Sequence, residues 1–338
     1  MEATIRAATL ATYFDVARAL KLNLHSLLRE SGLDPTLLTN PEQAISAKAF
    51  VWLLEQSAMR SGQMNFGLRM AEERKLSDLG MIGMLLAHRR TLRDALLTAI
   101  EYRQSMSTVL AIDLEDDGNT VIIREEVLPV LGAYSVQATE LAVGILASTC
   151  KSLLDDKWRP YAAYFTHPAP ADLSVHRRMF ACELRFDSEF NGITCASKDL
   201  DGPNPHADPQ MLQQLEQSVL VMRTVNPDSF FLATHQAILL LMPLGRATIE
   251  RVAAHMRVST RTLQRRLDED DYNFSKLVNE VRCDLAVRYL ANLRYSIENV
   301  ATLLGYTNQS AFGRWFKYEF GSAPTKWRAT EVRRRRFA

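Results

Sequence analysis

The sequence predicts a mainly α protein in which an α+β domain is followed by an all-α domain with two helix-turn-helix units. Three observations predict it. Apolar residues recur at helical spacing through most of the chain. Runs rich in β-branched residues fall between residues 109 and 197, and none follows. Two pieces of the last third, TIERVAAHMRVSTRTLQRRL and SIENVATLLGYTNQSAFGRWF, repeat one another.

In chain order, Leu10, Tyr13, Phe14, Ala17 and Leu20 mark one helical face near the start. A second helical run is SDLGMIGMLLAHRRTLRDALLTAIEYRQSM, with Leu92, Ala95, Leu96, Ala99 and Tyr102 in phase. VLAIDLEDDGNTVIIREEV reads as a hairpin, because Asp116-Asp117-Gly118-Asn119 supplies a turn between two β-branched runs. LGAYSVQATELAVGILASTCKSLL reads as a long buried helix, and short strands are expected at Tyr161 to Thr166 and Gly192 to Ser197. Three prolines and a glycine in DGPNPHADPQ stop regular structure. Helical pattern resumes at Met211 and breaks again at Asn226-Pro227-Asp228. The expected organisation is therefore a domain over 1–210, a linker region over 211–228 and a second domain over 229–338.

Charge separates the same two parts. The whole chain of 338 residues carries a net charge of +1. Residues 229–338 hold 18 Lys and Arg against 10 Asp and Glu, leaving 22 against 29 for the remainder. A basic module beside an acidic one points to a phosphate-bearing partner. No stretch is apolar enough for a signal peptide or a membrane span, so a cytoplasmic protein without membrane attachment is expected. The four cysteines, Cys150, Cys182, Cys195 and Cys283, lack metal-ligand spacing, and no metal or cofactor is expected. GxSxG, P-loop and HExxH motifs are missing, which argues against the enzyme classes that carry them.

Each repeat can be read residue by residue. In the first, Ile249, Val252, Ala253 and Met256 form an apolar face and Ser259 is placed to cap the next helix. In the second, Ile297, Val300, Ala301 and Leu304 do the same, Gly305 suits the turn and Asn308 caps. With Leu263, Leu267, Phe312 and Phe316 inward, the outer faces carry Thr260, Arg261, Gln264 and Arg265 in one helix and Gln309, Ser310, Gly313 and Arg314 in the other. Arg reaches guanine bidentately, Gln reaches adenine, and hydroxyls bond bases or phosphates, so these faces suit a DNA major groove. Two such helices on one body would enter successive groove segments.

IENVATLLGYTNQSAFGRWFKYEFGSAPTKWR resembles the C-terminal signature of AraC/XylS-type bacterial transcription regulators, through the Val300-Ala301 pair, Gly305-Tyr306, Phe312, Arg314, Phe316-Lys317, Phe320-Gly321, Pro324 and Trp327-Arg328. The resemblance implies a seven-helix DNA-binding domain whose linking helix is supplied by YNFSKLVNEVRCDLAVRYLAN, with base contacts from the outer residues named above. It also implies an operator in double-stranded DNA, contact with RNA polymerase, and activation in response to a small-molecule effector. Two departures stand out. Arg257 occupies a turn position that often holds glycine or asparagine, at about 1 kcal/mol. Gly313 offers no side chain for base readout, so discrimination should lean on the first helix.

More faintly, the first 210 residues resemble the N-terminal effector/dimerisation domain of the branch that includes the ornithine-utilisation and VirS-type regulators. Effector-binding residues are not identifiable from sequence. The sequence leaves the oligomeric state open, with Leu141 to Leu154 and Met211 to Val225 as the two candidate faces for a homodimer. A ligand-independent dimeric regulator and a thiol-based redox sensor are the alternatives. His167, His176 and His206 read as surface or hydrogen-bonded residues, and His88-Arg89-Arg90 with Arg93 and Arg103 as a solvated helix end or, alternatively, an anion clamp. Arg333 to Arg336 reads as a free arm.

Overall fold

Residues 3–34, 40–155, 157–225 and 229–336 are described by a computed structural model of the chain. They divide into two compact units, Met1–Ser229 and Phe230–Ala338.

In the first unit, strands β1 (Thr4–Arg6) and β2 (Ala44–Ser46) pair antiparallel. A five-stranded sheet is built from β3 (Leu110–Asp116), β4 (Thr120–Val127), β5 (Ala162–Tyr164), β6 (Glu183–Arg185) and β7 (Gly192–Ala196), in the order β3-β4-β7-β5-β6. Only the β5/β6 pair is parallel. The expected hairpin is β3 and β4, with its turn held by the Asp117 carboxylate accepting from the N–H groups of Asn119 and Thr120. Period-two alternation sends Val121, Ile123, Glu125 and Val127 of β4 to one face, where helix Val136–Leu153 packs.

That helix is the long buried one expected. Leu141, Val143, Leu146, Ala147, Cys150 and Leu153 are all in the core of this unit, so the face from Leu141 to Leu154 proposed for dimerisation is consumed by the monomer's own packing. Helix Phe66–Glu72 lies against it so closely that a Cβ on Gly67 would fall 2.0 Å from the Gln137 carbonyl oxygen, and Gly67 is required there by space. The second helical run is two helices, Gly80–Ala87 and Leu92–Met106, interrupted at the His88 to Thr91 turn, where the Thr91 hydroxyl accepts from the Asp94 N–H at 3.1 Å and starts the second. Residues 211–225, expected in a linker region, lie in helix Pro209–Val225, which packs on Gly80–Ala87 through buried Leu215 and an Arg89–Glu216 ion pair at 2.9 Å. Asn226-Pro227-Asp228 lies outside the described residues.

The second unit is all helix among its described residues: Phe230–Leu241, Ile249–His255, Thr260–Glu269, Phe274–Ala291, Ile297–Leu303, Gln309–Phe320 and Pro324–Arg336, with a short 3-10 turn at Met242–Leu244. The backbone of Arg333 to Arg336 continues the last helix where a free arm was expected, and those four side chains lie outside the described residues. No single helix among the described residues is long and apolar enough to cross a membrane.

Candidate nucleic-acid interface

Both copies fold as capped helix-turn-helix units. In the first, Ile249–His255 starts on the Thr248 cap, which accepts from the Arg251 N–H at 3.4 Å, and Thr260–Glu269 starts on Ser259, which accepts from the Thr262 N–H at 3.1 Å. In the second, Ser296 accepts from the Asn299 N–H at 3.0 Å and Asn308 from the Ala311 N–H at 2.8 Å. Each cap satisfies an N–H that helix geometry leaves unpaired. The turns differ as the sequence predicts: Gly305 has φ +81° and Arg257 has φ +55°, so Arg257 carries the left-handed strain that glycine avoids.

Burial sorts the recognition helices into two faces. Leu263, Leu267, Phe312 and Phe316 are fully buried. Arg261, Gln264, Arg265, Gln309, Ser310 and Arg314 are exposed, with Thr260 and Gly313 half-buried. Among the exposed set, Arg265 lies 3.8 Å from Glu269, one helical turn on, with both side chains more than 60% exposed, a contact too weak to hold the guanidinium from another partner. A Cβ on Gly313 would meet nothing within 4 Å, so this position faces open space.

The linking helix Phe274–Ala291 fixes the second unit by contacts that sequence reading missed. Its Asn279 accepts from the Trp315 indole N–H at 2.7 Å and donates to Glu319 at 3.1 Å. Its Arg282 donates to the Leu304 carbonyl at 3.2 Å, satisfying a helix end, and lies 5.2 Å from the Tyr306 ring centroid and 5.9 Å from that of Trp315. Arg328 donates to the Leu290 and Tyr295 carbonyls at 3.0 and 2.8 Å, tying the last helix to the end of the linking one. Phe312, Trp315, Phe316, Phe320 and Trp327 form an aromatic core, with Phe316 stacked on Phe320 at 4.2 Å. The outward side chains thus stand on a rigid base.

In the N-terminal unit Arg89, Arg93 and Arg103 of the basic cluster are already engaged, and Arg90 is exposed. Arg93 binds both Asp201 and Asp116, Arg89 binds Glu216, and Arg103 donates to the Ile100 carbonyl, so these charges close the unit's own surface and do not make an anion clamp. His176 and His167 are buried, with Nε2 atoms 2.9 and 3.6 Å from Oε1 of Glu140, itself fully buried. They are the hydrogen-bonded histidines of the expectation and not the surface ones, His176 on Glu140 and His167 on the Pro168 carbonyl, gathered around Phe165 and Phe186 from positions 27 and 36 residues from Glu140. The four thiols are all pushed upward, chiefly by burial: Cys182 and Cys283 to about 11, Cys195 to about 12, and Cys150 well above its ordinary value.

The same unit contains a cavity of about 140 Å³ between the β3/β4 hairpin and the helices Leu92–Met106 and Val136–Leu153. Its walls are almost wholly apolar, among them Phe50, Leu96, Ile112, Leu141 and Ile145. Two charged residue types, Arg74 and Glu125, also line it. Glu125 was missed from sequence, although the alternation of Val121, Ile123 and Val127 places it on the apolar face of β4.

Comparison with known proteins fits this geometry. The family described as the arabinose-binding domain of AraC transcription regulator, N-terminal, matches residues 22–204, and the helix-turn-helix domain family matches residues 252–330. The ornithine utilization regulator of Pseudomonas aeruginosa is 24% identical over 316 residues, covering 93% of each chain. The regulator VirS of Mycobacterium tuberculosis is 28% identical over 332 residues, covering 96% of each. The crystal structure of the transcriptional regulator CdpR from Pseudomonas aeruginosa aligns with 90% of this chain and 96% of its own at 21% identity, with a TM-score of 0.41. The two matched domains, in this order and over most of the length, make this chain a member of the AraC family of DNA-binding transcription regulators.

Proposed function

We propose that the protein is an activator that binds an asymmetric operator in double-stranded DNA, reading bases with Arg261, Gln264 and Arg265 of the first recognition helix and with Gln309, Ser310 and Arg314 of the second. Thr260 and the turn residue Arg257 contact phosphate, and Gly313 lets the backbone of the second helix approach the groove. The observation that carries this reading is the pair of capped helices in one compact unit, each with a buried apolar side and an exposed row of Arg, Gln and Ser.

The N-terminal unit, residues 1–210 with the helix that follows, binds a small effector and shifts the population of DNA-competent states. Self-association uses the helix Pro209–Val225, whose residues Met211, Gln213, Gln214, Gln217 and Ser218 are exposed. The DNA-bound protein recruits RNA polymerase, works in the cytoplasm and performs no catalysis of its own. A thiol-sensing mechanism is not favoured, since the reactive form of cysteine is the thiolate and burial disfavours it at all four positions. A gel-shift titration on DNA upstream of the protein's own and neighbouring genes, at two salt concentrations with random competitor DNA, tests the reading. A discrete complex that survives competitor and the higher salt is expected, and retardation that is blind to sequence would overturn it.

A further inference from the structure

Glu125 is the acid in the N-terminal cavity, and the fold leaves its carboxyl without a partner. It is 5% exposed, its Oε2 has no hydrogen bond, and it stands in cross-strand register with Ile112, in a row otherwise made of Val121, Ile123 and Val127. Burial alone, with no compensating charge, raises its carboxyl to about 8. A carboxyl that costs stability in a row suited to valine or isoleucine is expected to act on something that enters the space beside it.

The surroundings restrict what that is. From the loop after helix Phe66–Glu72, Arg74 lines the cavity; its two terminal nitrogens donate to the Ala8, Thr9 and Asp78 carbonyls at 3.1, 3.1 and 3.3 Å, and its Nε is buried without a partner. Behind the lining of helix Val136–Leu153 the Cys150 thiol is held neutral by burial, and from Leu92–Met106 the cavity is lined by Ala95, Leu96, Ala99 and Met106, none of them titratable. A sugar would leave most of its hydroxyls facing hydrocarbon. A carboxylate would share the space with Glu125 only while that group stays protonated, and the terminal nitrogens of the arginine there are already engaged by three carbonyls. A cation on an apolar body meets an unpaired acceptor, further hydroxyl acceptors in Ser107 and Thr149, and a matching apolar wall. An apolar cavity of this size accommodates a benzene-sized group.

We propose that this cavity binds a small apolar primary amine, its ammonium pairing with Glu125 and its hydrocarbon body packing among Leu96, Ile112, Leu141 and Ile145. The proposal rests on the reading of this unit as the effector domain. Glu125 is protonated in the empty cavity at neutral pH and is ionised in the complex, so one proton is released on binding. Affinity for the amine therefore rises about tenfold per pH unit below 8 and levels off above it.

Isothermal titration of the full chain with benzylamine and with benzyl alcohol, between pH 6 and 9 in buffers of different ionisation enthalpy, tests this. Benzylamine is expected to bind with release of about one proton at pH 6.5, and Glu125→Gln is expected to weaken it at least tenfold and to abolish the pH dependence, with benzyl alcohol unaffected by either. Thermal unfolding of Glu125→Gln, expected at or above the wild-type temperature at pH 8, shows that the variant is folded. Binding of the alcohol in preference to the amine, amine binding that ignores both pH and Glu125→Gln, or binding of neither probe overturns the proposal. Gel shifts with each probe separate it from the effector reading: alcohol that binds and alters operator affinity sinks the amine assignment and keeps an effector domain, whereas amine that binds as expected and leaves operator affinity unchanged keeps the site and sinks the effector role.

Discussion

The two units of this chain keep their polar chemistry in opposite places. In the C-terminal unit Arg261, Gln264, Arg265, Gln309 and Arg314 point outward from helices whose inner faces are leucine and phenylalanine. In the N-terminal unit Glu125, Glu140, His176 and Arg74 are inside, and the surface arginines Arg89 and Arg93 are spent on local ion pairs. An exposed charge costs its own unit almost nothing and is free for a partner, whereas a buried one lowers stability until something satisfies it. Stability should therefore answer to substitutions in the first unit and DNA affinity to substitutions in the second.

The largest effect expected is at Glu125. Its folded value near 8 lies above the ordinary 4.5, so the group favours folding below the unfolded value and withdraws stability as pH rises toward 8. Between pH 4.5 and 7 the withdrawal amounts to about 3 kcal/mol, at 1.36 kcal/mol per unit. Glu125→Gln should remove that dependence, measured by denaturant unfolding at pH 5 and pH 8; equal pH dependence in wild type and variant would place the carboxylate in contact with solvent.

Next come the recognition arginines. Arg261→Ala and Arg265→Ala should each cost about 1 to 3 kcal/mol of operator binding. Both should leave the melting temperature of the chain within a degree or two, since neither side chain is packed. A fall of several degrees would mean that these arginines hold their own unit together. Smaller still are two backbone changes that sharpen the comparison between the helix-turn-helix copies. Arg257→Gly should relieve left-handed strain and gain up to about 1 kcal/mol, the glycine's extra freedom when unfolded offsetting part of it. Gly313→Ala should gain roughly 0.5 kcal/mol by helix propensity, because its Cβ meets nothing. Chemical unfolding of each variant reads both gains, and a loss at Gly313 would mean that the position is packed.

What was legible in the sequence was local. Caps at Ser259 and Asn308, the turn at Gly305, the inward leucines and phenylalanines and the Asp-Gly-Asn hairpin turn are all decided within a few residues, and spacing alone exposes them. The pairing of β1 with β2 joins three-residue strands some forty positions apart, which no local pattern announces. Glu125 sits in Arg124-Glu125-Glu126, a charged triplet that looks like a solvated strand end; the sheet buries all three because both of its faces are covered there. Glu140 reads as an exposed residue in an apolar helix until His176 and His167 arrive from elsewhere in the chain. The exposed rows of Thr260–Glu269 and Gln309–Phe320 were legible because each depends on one helix, and the cavity was not because its lining is drawn from strands and helices spread between Ile5 and Thr149.

The most direct test of the account is an anisotropy titration of the full chain and of Arg265→Ala against its operator and a scrambled duplex of equal length, at one fixed salt concentration. The prediction is a loss of about tenfold to a hundredfold on the operator with little change on the scrambled duplex. Equal losses on both would contradict it, and would leave the exposed row of the first recognition helix as a grip on phosphate alone.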